Sequence, residues 1–144
     1  MLKIKFYLIL FISIFSFFFS QANAKNLSDL DKSTIKQTIQ NQLDAFAIDD
    51  FKLAYSYAAP SIKEIFPSYL DFETMIINSY QAVHRPKSID FGTVQSTKSG
   101  AMMKLYFVDP DGDFITAEYN LEKKDNGIWL ISSCILLKSS SDQI

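Results

Sequence analysis

The chain has 144 residues, of which 48% are hydrophobic and 15% aromatic, a composition that supports one domain with its own core. Its 14 basic and 16 acidic residues give a net charge of −2 at pH 7, so a nucleic acid backbone is not the expected partner. One cysteine, Cys134, and one histidine, His84, exclude an internal disulfide and a zinc site of the usual composition. No metal or cofactor is expected.

The N-terminus has the three-part layout of a secretory signal peptide. Lys3 and Lys5 precede a continuous apolar run over residues 6–19, and an Ala-x-Ala cleavage pattern ends at Ala24. The run is short for a membrane span, although retention as an uncleaved anchor is the alternative. The pattern predicts residues 1–24 as a signal peptide and residues 25–144 as a single exported, periplasmic domain that meets the membrane only before cleavage.

The first long helix is predicted from a cap and an apolar stripe. Ser28 followed by Asp31 approximates a capping box, and the helix is expected to end near Ile48. The stripe consists of apolar residues at helical spacing: Ile35, Ile39, Leu43, Phe46 and Ala47. The adjacent Asp49 and Asp50 could supply paired carboxylates for acid–base work, but acids between helices usually act as caps.

Further helices and then strands are predicted along the rest of the chain. Short helices begin at Phe51 and at Pro60, and a longer one begins at Ser68 or Asp71. After Pro86 the period becomes alternating, which is typical of strands. The first strand is indicated by Ile89, Phe91 and Thr93. In the second, Met103, Leu105 and Phe107 alternate against Met102, Lys104, Tyr106 and Val108, and in the third, Ile115, Ala117, Tyr119 and Leu121 alternate against Phe114, Thr116, Glu118 and Asn120. The last strand, residues 128–138, is apolar on both faces.

This order predicts an α+β fold in which N-terminal helices pack on a curved four-stranded antiparallel sheet. Glycine-containing turns at residues 109–112 and 125–127 separate the later strands. The outer face of the sheet still carries apolar residues, which indicates a partner surface or a homodimer formed through that face.

Three segments resemble a bacterial family known only as a domain of unknown function: residues 44–66, 72–86 and 129–136 (WLISSCIL). That family is similar to the nuclear-transport-factor-2-like, or SnoaL-like, cone-fold superfamily. The resemblance covers nearly the whole chain after the signal peptide and implies an apolar pocket between helices and sheet, frequent dimers and export. It carries over no catalytic residue, since the family has no established activity. Ser133 departs from it, since a glycine is expected before the cysteine.

Two side chains are candidates for proton transfer. His84 is the only histidine, the residue type whose unperturbed pKa lies near neutrality, and it could act as a general base with a carboxylate, although a histidine at a helix end more often interacts with the helix terminus or solvent. Glu118 lies on a central strand, where an inward carboxyl would be a functional candidate and an outward one only surface charge.

The sequence favours a module that binds a small apolar or amphipathic ligand or an envelope protein, without catalysis. The ligand pocket is predicted from aromatic residues of the helices and strands: Phe46, Tyr55, Tyr80, Tyr106 and Trp129. The alternative is a proton-transfer enzyme of isomerase or dehydratase type that uses His84 or Glu118 with a tyrosine.

Overall fold

The computed structural model describes residues 26–138, so the predicted signal peptide at residues 1–24 lies outside the described residues. Five helices precede four strands: α1 (Asp29–Ala47), α2 (Phe51–Ser56), α3 (Pro60–Ile65), α4 (Tyr69–Ser79), α5 (Gln81–His84), β1 (Ser88–Thr97), β2 (Gly100–Val108), β3 (Phe114–Lys123) and β4 (Trp129–Lys138). The helices pack on one face of an open antiparallel sheet with the order β1-β2-β3-β4. The α+β prediction is confirmed. None of the helices between residues 26 and 138 has the length and hydropathy that a membrane crossing requires.

The predicted caps of α1 and α2 are present. The Ser28 hydroxyl accepts the N–H of Asp31 at 3.0 Å while the Asp31 carboxylate accepts the N–H of Ser28 at 3.3 Å, which completes a capping box. Two reverse hydrogen bonds end α1, from Asp49 N–H to the carbonyl of Phe46 and from Asp50 N–H to the carbonyl of Ala45. Asp50 then caps α2, so the junction between the two helices is only three residues long.

Asp49 occupies the left-handed position of this helix end, with a φ of 59°. Glycine is the usual residue there because a side chain makes the left-handed conformation unfavourable. The carboxylate of Asp49 does not cap a helix. It binds the side chains of His84 and Arg85 at the end of α5 instead, which ties the corner between α1 and α2 to the last helix.

Alternation along β2 and β3 places their predicted apolar residues toward the helices. Met103, Leu105 and Phe107 are buried, as are Ala117 and Tyr119, while the intervening side chains lie on the outer face. Residues that alternate along a strand point to opposite faces, so one register determines the whole core face of the sheet.

A bulge interrupts β1. Phe91 pairs with Leu105 and Val94 pairs with the next inward residue of β2, so Gly92 and Thr93 together oppose Lys104. Gly92 fits because an added Cβ would lie 2.7 Å from the Lys104 carbonyl oxygen. Thr93 is therefore exposed. The alternation predicted for Ile89, Phe91 and Thr93 shifts by one residue at the bulge, so Val94 takes the inward position instead of Thr93.

A second bulge explains why β4 is apolar on both faces. Leu121 pairs with Ile131 and Asn120 pairs with Ser133, which leaves Ser132 as the extra residue. Before the bulge the inward residues are Trp129 and Ile131, and after it they are Cys134 and Leu136, whose partners on β3 are buried. The outer edge of β4 is covered at the bulge by residues 57–59, which exchange two backbone hydrogen bonds with Ile131.

The Asp31 carboxylate joins the start of α1 to the sheet. It accepts hydrogen bonds from Lys123 Nζ at 2.6 Å and from Trp129 Nε1 at 3.0 Å. The hydrogen bond from Lys123 is the main reason that the pKa of the Asp31 carboxyl lies well below its usual value. The bonds from Trp129 and from Ser28 lower this pKa further. Because the folded state prefers the ionised form, this carboxylate contributes stability above its unfolded pKa of about 3.9 and loses it as the pH falls toward its folded pKa.

We therefore expect the difference in free energy of unfolding between the wild type and Asp31→Asn to be largest at neutral pH and to shrink below about pH 4. Urea unfolding from neutral pH to about pH 2.5 measures it. The difference in free energy of unfolding between the wild type and Lys123→Met should show part of the same pH dependence. When Lys123→Met is added to Asp31→Asn, the further loss should not depend on pH. A difference that stays constant over this range would contradict the assignment.

Candidate functional site

A cavity of about 220 Å³ lies between the helices and the bulged half of β4. Its walls come from α1, α3, α4, α5, the residues that follow α3 and α4, and strands β3 and β4. Nine of the fifteen lining residues are apolar: Phe46, Ile62, Ile65, Phe66, Phe72, Met75, Ile76, Val83 and Ile131. The polar ones are Gln42, Tyr80, Tyr119, Ser132, Ser133 and Cys134.

Packed aromatic rings form the wall on the side of the helices. The ring of Phe72 lies 6.0 Å from that of Phe46 and 6.4 Å from that of Phe66. Tyr55 packs behind them, with its ring 5.5 Å from Phe72 and its hydroxyl donating to the Phe66 carbonyl at 2.6 Å. Tyr55 therefore does not line the cavity. It holds in place the residue that ends α3.

The wall formed by α3 is the least buried. None of the residues of α3 is buried, and its first residue, Pro60, follows a cap position without a side-chain hydrogen bond. Ile62 is half-buried and Ile65 is 71% exposed, although both line the cavity. The cavity therefore meets solvent beside α3, where a short helix with few buried contacts opens at low cost in free energy.

The polar groups of the lining are neutral. Burial raises the pKa of the Cys134 thiol to about 12 and raises the pKa values of the Tyr119 and Tyr80 hydroxyls above their usual range. The Tyr80 hydroxyl donates to the Cys134 carbonyl at 3.0 Å. Gln42 is 3% exposed, and its Nε2 donates to the Ala54 carbonyl at 3.2 Å. The lining can thus offer neutral hydrogen bonds and dispersion contacts, but no charge.

The two candidates for proton transfer lie away from this lining. His84 Nε2 is 2.7 Å from Asp49 Oδ1, and the imidazole packs on Phe51 at 5.3 Å. The hydrogen bond from His84 and the charge of Arg85 lower the pKa of the Asp49 carboxyl. Glu118 is half-buried on the outer face of the sheet, opposite Lys104 in the register. The structure does not bring these two side chains together.

Two of the five aromatic residues predicted for the pocket, Phe46 and Tyr80, line the cavity. Tyr106 lies on the outer face of the sheet, since its neighbours on β2 point inward. Trp129 is buried at the other end of β4, where its Nε1 donates to Asp31. A ligand in this cavity would contact Phe46 and Tyr80 but not the other three.

Gln42 also lines the cavity, although the predicted pocket contained only aromatic residues. Its position in the sequence carries a signal that could have identified it. It stands three residues after Ile39 and four before Phe46, within the apolar stripe of α1. A polar side chain in a buried stripe needs a hydrogen-bond partner, which Ala54 provides. Between residues 26 and 138, no group of three or more His, Cys, Asp or Glu side chains is placed to hold a metal ion.

The fold and the cavity define a small α+β module with an apolar site between its helices and its sheet that is open to solvent beside α3. A family model described as Domain of unknown function (DUF4864) matches residues 28–144, and the chain belongs to this family. No curated protein and no solved structure matches the chain. What the site does must therefore be argued from its own residues.

Proposed function

We propose that the protein is a binding module that holds a small apolar or amphipathic ligand in the cavity, without catalysing a reaction on it. The cavity itself supports this proposal, since most of its lining residues are apolar and none is charged. Small-molecule sites have this composition, an apolar lining with a few placed polar groups. The Phe46 and Phe72 rings give it a preformed wall.

The alternative, a proton-transfer enzyme, has less support. His84 is held by Asp49 outside the lining, and Glu118 faces away from the helices. The titratable groups that do line the cavity are two tyrosines and a cysteine whose pKa values are raised, so they hold their protons near neutral pH. Binding without proton transfer is the simpler use of this lining.

We also propose that the module is exported to the periplasm and belongs to the nuclear-transport-factor-2-like superfamily. The charged, apolar and Ala-x-Ala segments of the N-terminus support export. Helices followed by a four-stranded antiparallel sheet, with a cavity between them, support the superfamily.

The binding proposal predicts that Ile62→Trp lowers the affinity for 1-naphthol about tenfold or more. The indole would occupy the cavity, while the half-buried position on α3 accepts the added volume without a change in the core. Isothermal titration calorimetry measures the affinity. Ile77→Trp on the exposed side of α4 is the matched control and should bind like the wild type. Equal loss in both variants, or in neither, would count against binding in this cavity.

The outer face of the sheet supports a second function, association with another copy of the chain. Its exposed side chains include Tyr106, Phe114, Ile135 and Leu137, and Thr116 lies between Tyr106 and Leu137 in the register. Several exposed apolar side chains on one face are typical of an interface. Sedimentation equilibrium of the wild type and of Tyr106→Lys tests it. A monomer in both would leave an envelope protein as the partner of this face.

A further inference from the structure

We infer that the ligand is an uncharged molecule with an apolar body of about nine non-hydrogen atoms and one neutral hydrogen-bonding group, which Ser132 at the β4 bulge and Gln42 on α1 recognise. This inference rests on the proposed binding function and adds to it the class of ligand and the residues that select it.

The volume of the cavity sets the size of the ligand. A dry cavity of about 150 Å³ holds benzene, with its six carbon atoms, and drug-sized ligands need about 300 Å³ or more. At the same volume per atom, the observed cavity of about 220 Å³ holds about nine non-hydrogen atoms. A bicyclic ring system or a short branched chain has this size.

The lining excludes a charged ligand. Transfer of an ion out of water costs several kcal/mol unless a counter-charge or several hydrogen bonds replace its hydration. None of the fifteen lining residues is Asp, Glu, Lys, Arg or His. The Tyr80 hydroxyl is already bound to the Cys134 carbonyl, so it is not available to solvate an anion without breaking that contact.

The bulge supplies the polar recognition point. Ser132 is the extra residue between two paired positions, so it stands outside the ladder that joins β3 and β4. The neighbouring Ser133 hydroxyl accepts a hydrogen bond from Asn120 at 3.1 Å. Within residues 26–138, the Ser132 hydroxyl makes no hydrogen bond, and Ser132 is one of the residues that line the cavity. A ligand hydroxyl or amide can therefore bind it without displacing an existing partner.

Gln42 provides the second polar group from the opposite wall. Its Nε2 is bound to the Ala54 carbonyl, which orients the amide and leaves Oε1 as the atom that can accept from a ligand. A buried amide held by one hydrogen bond is rigid, so it loses little side-chain entropy when a ligand binds. An acceptor on one wall and a hydroxyl on the other match a ligand group that both donates and accepts.

Three compounds with one ring system test the inference: naphthalene, with no polar group, 1-naphthol, with a neutral hydroxyl, and 1-naphthoate, with a charge. Calorimetric titration of the protein should give 1-naphthol an affinity about tenfold higher than naphthalene, as one buried hydrogen bond provides. The affinity for 1-naphthoate should be the lowest of the three.

Ser132→Ala should remove most of the preference for 1-naphthol over naphthalene while leaving the affinity for naphthalene unchanged. Thr93→Ala, at the exposed bulge of β1, removes a hydroxyl away from the cavity and should keep the preference. Gln42→Met should also reduce the preference, and its unfolding midpoint shows separately what the loss of the bond to Ala54 costs.

The outcomes separate the two proposals. Equal affinity of the wild type for naphthalene and 1-naphthol, or tightest binding of 1-naphthoate, would overturn the inference and leave binding in the cavity intact. A preference that survives Ser132→Ala and Gln42→Met would overturn the roles of these residues. If none of the three compounds binds, or if Ile62→Trp leaves their affinities unchanged, both proposals are overturned.

Discussion

Replacing Phe46 by alanine should lower the free energy of unfolding by about 4 kcal/mol. The ring is 1% exposed and lies 6.0 Å from the rings of both Phe51 and Phe72. Its removal loses the transfer free energy of a buried aromatic side chain and two favourable ring contacts. The cost lies within the usual range for truncating a buried phenylalanine, and the space left by the ring joins the cavity that Phe46 already borders.

Urea unfolding followed by the fluorescence of Trp129 measures this loss. Phe114→Ala is the matched control, since Phe114 is 72% exposed on the outer face and should cost less than about 0.5 kcal/mol. Phe46→Leu should cost about 1.5 kcal/mol because it keeps most of the volume. Naphthalene should recover part of the stability lost in Phe46→Ala, since the enlarged cavity binds it only in the folded state. Equal costs at positions 46 and 114 would contradict the described core.

Gly100→Ala should cost about 3 kcal/mol or more. An added Cβ would lie 2.1 Å from the Leu121 carbonyl oxygen on the neighbouring strand, far inside contact distance. The φ of 153° adds backbone strain for a residue with a side chain. Relief of the contact would need β2 and β3 to separate at the end where they pair, which breaks hydrogen bonds of the ladder.

Comparison with Gly127→Ala separates the cost of the contact with Leu121 from the cost of the backbone strain. Gly127 also has a positive φ, 86°, but no atom lies within 4 Å of its added Cβ. This variant should therefore show the backbone strain alone, about 1 kcal/mol. Chemical unfolding of both variants under the same conditions gives the comparison. If Gly100→Ala costs no more than Gly127→Ala, the close approach to Leu121 is wrong.

The features that could be predicted from the sequence are local ones. The capping box at Ser28 and Asp31 spans one helical turn, and the alternation along β2 and β3 depends only on neighbours in the chain. The bulges depend on which residue of one strand faces which residue of the next, and that pairing is not local. In β4 the inward positions change from odd numbers, 129 and 131, to even ones, 134 and 136, but Leu130, Ile135 and Leu137 are apolar too, so the sequence does not show the change.

The residues that line the cavity were harder to predict, because the type of a residue does not show which way its side chain points in the fold. Tyr106 is aromatic but lies one residue from Leu105, so the pleat of the strand places it on the outer face. Trp129 is buried, but its Nε1 needs an acceptor and finds Asp31 rather than a ligand. Gln42 lies in the lining because of the period of its helix, a signal that a search for aromatic residues does not detect.

The hydrogen bond between Asp31 and Trp129 joins residues 98 positions apart. The antiparallel pairs of the sheet, in contrast, link strands that follow one another directly in the chain. Sheet pairing can therefore propagate locally as the chain lengthens, while the bond from Trp129 to the start of α1 must wait for the last strand. The same last strand supplies Ile131 and Ser132 to the cavity. A chain emerging from synthesis therefore has no finished cavity until β4 has paired with β3.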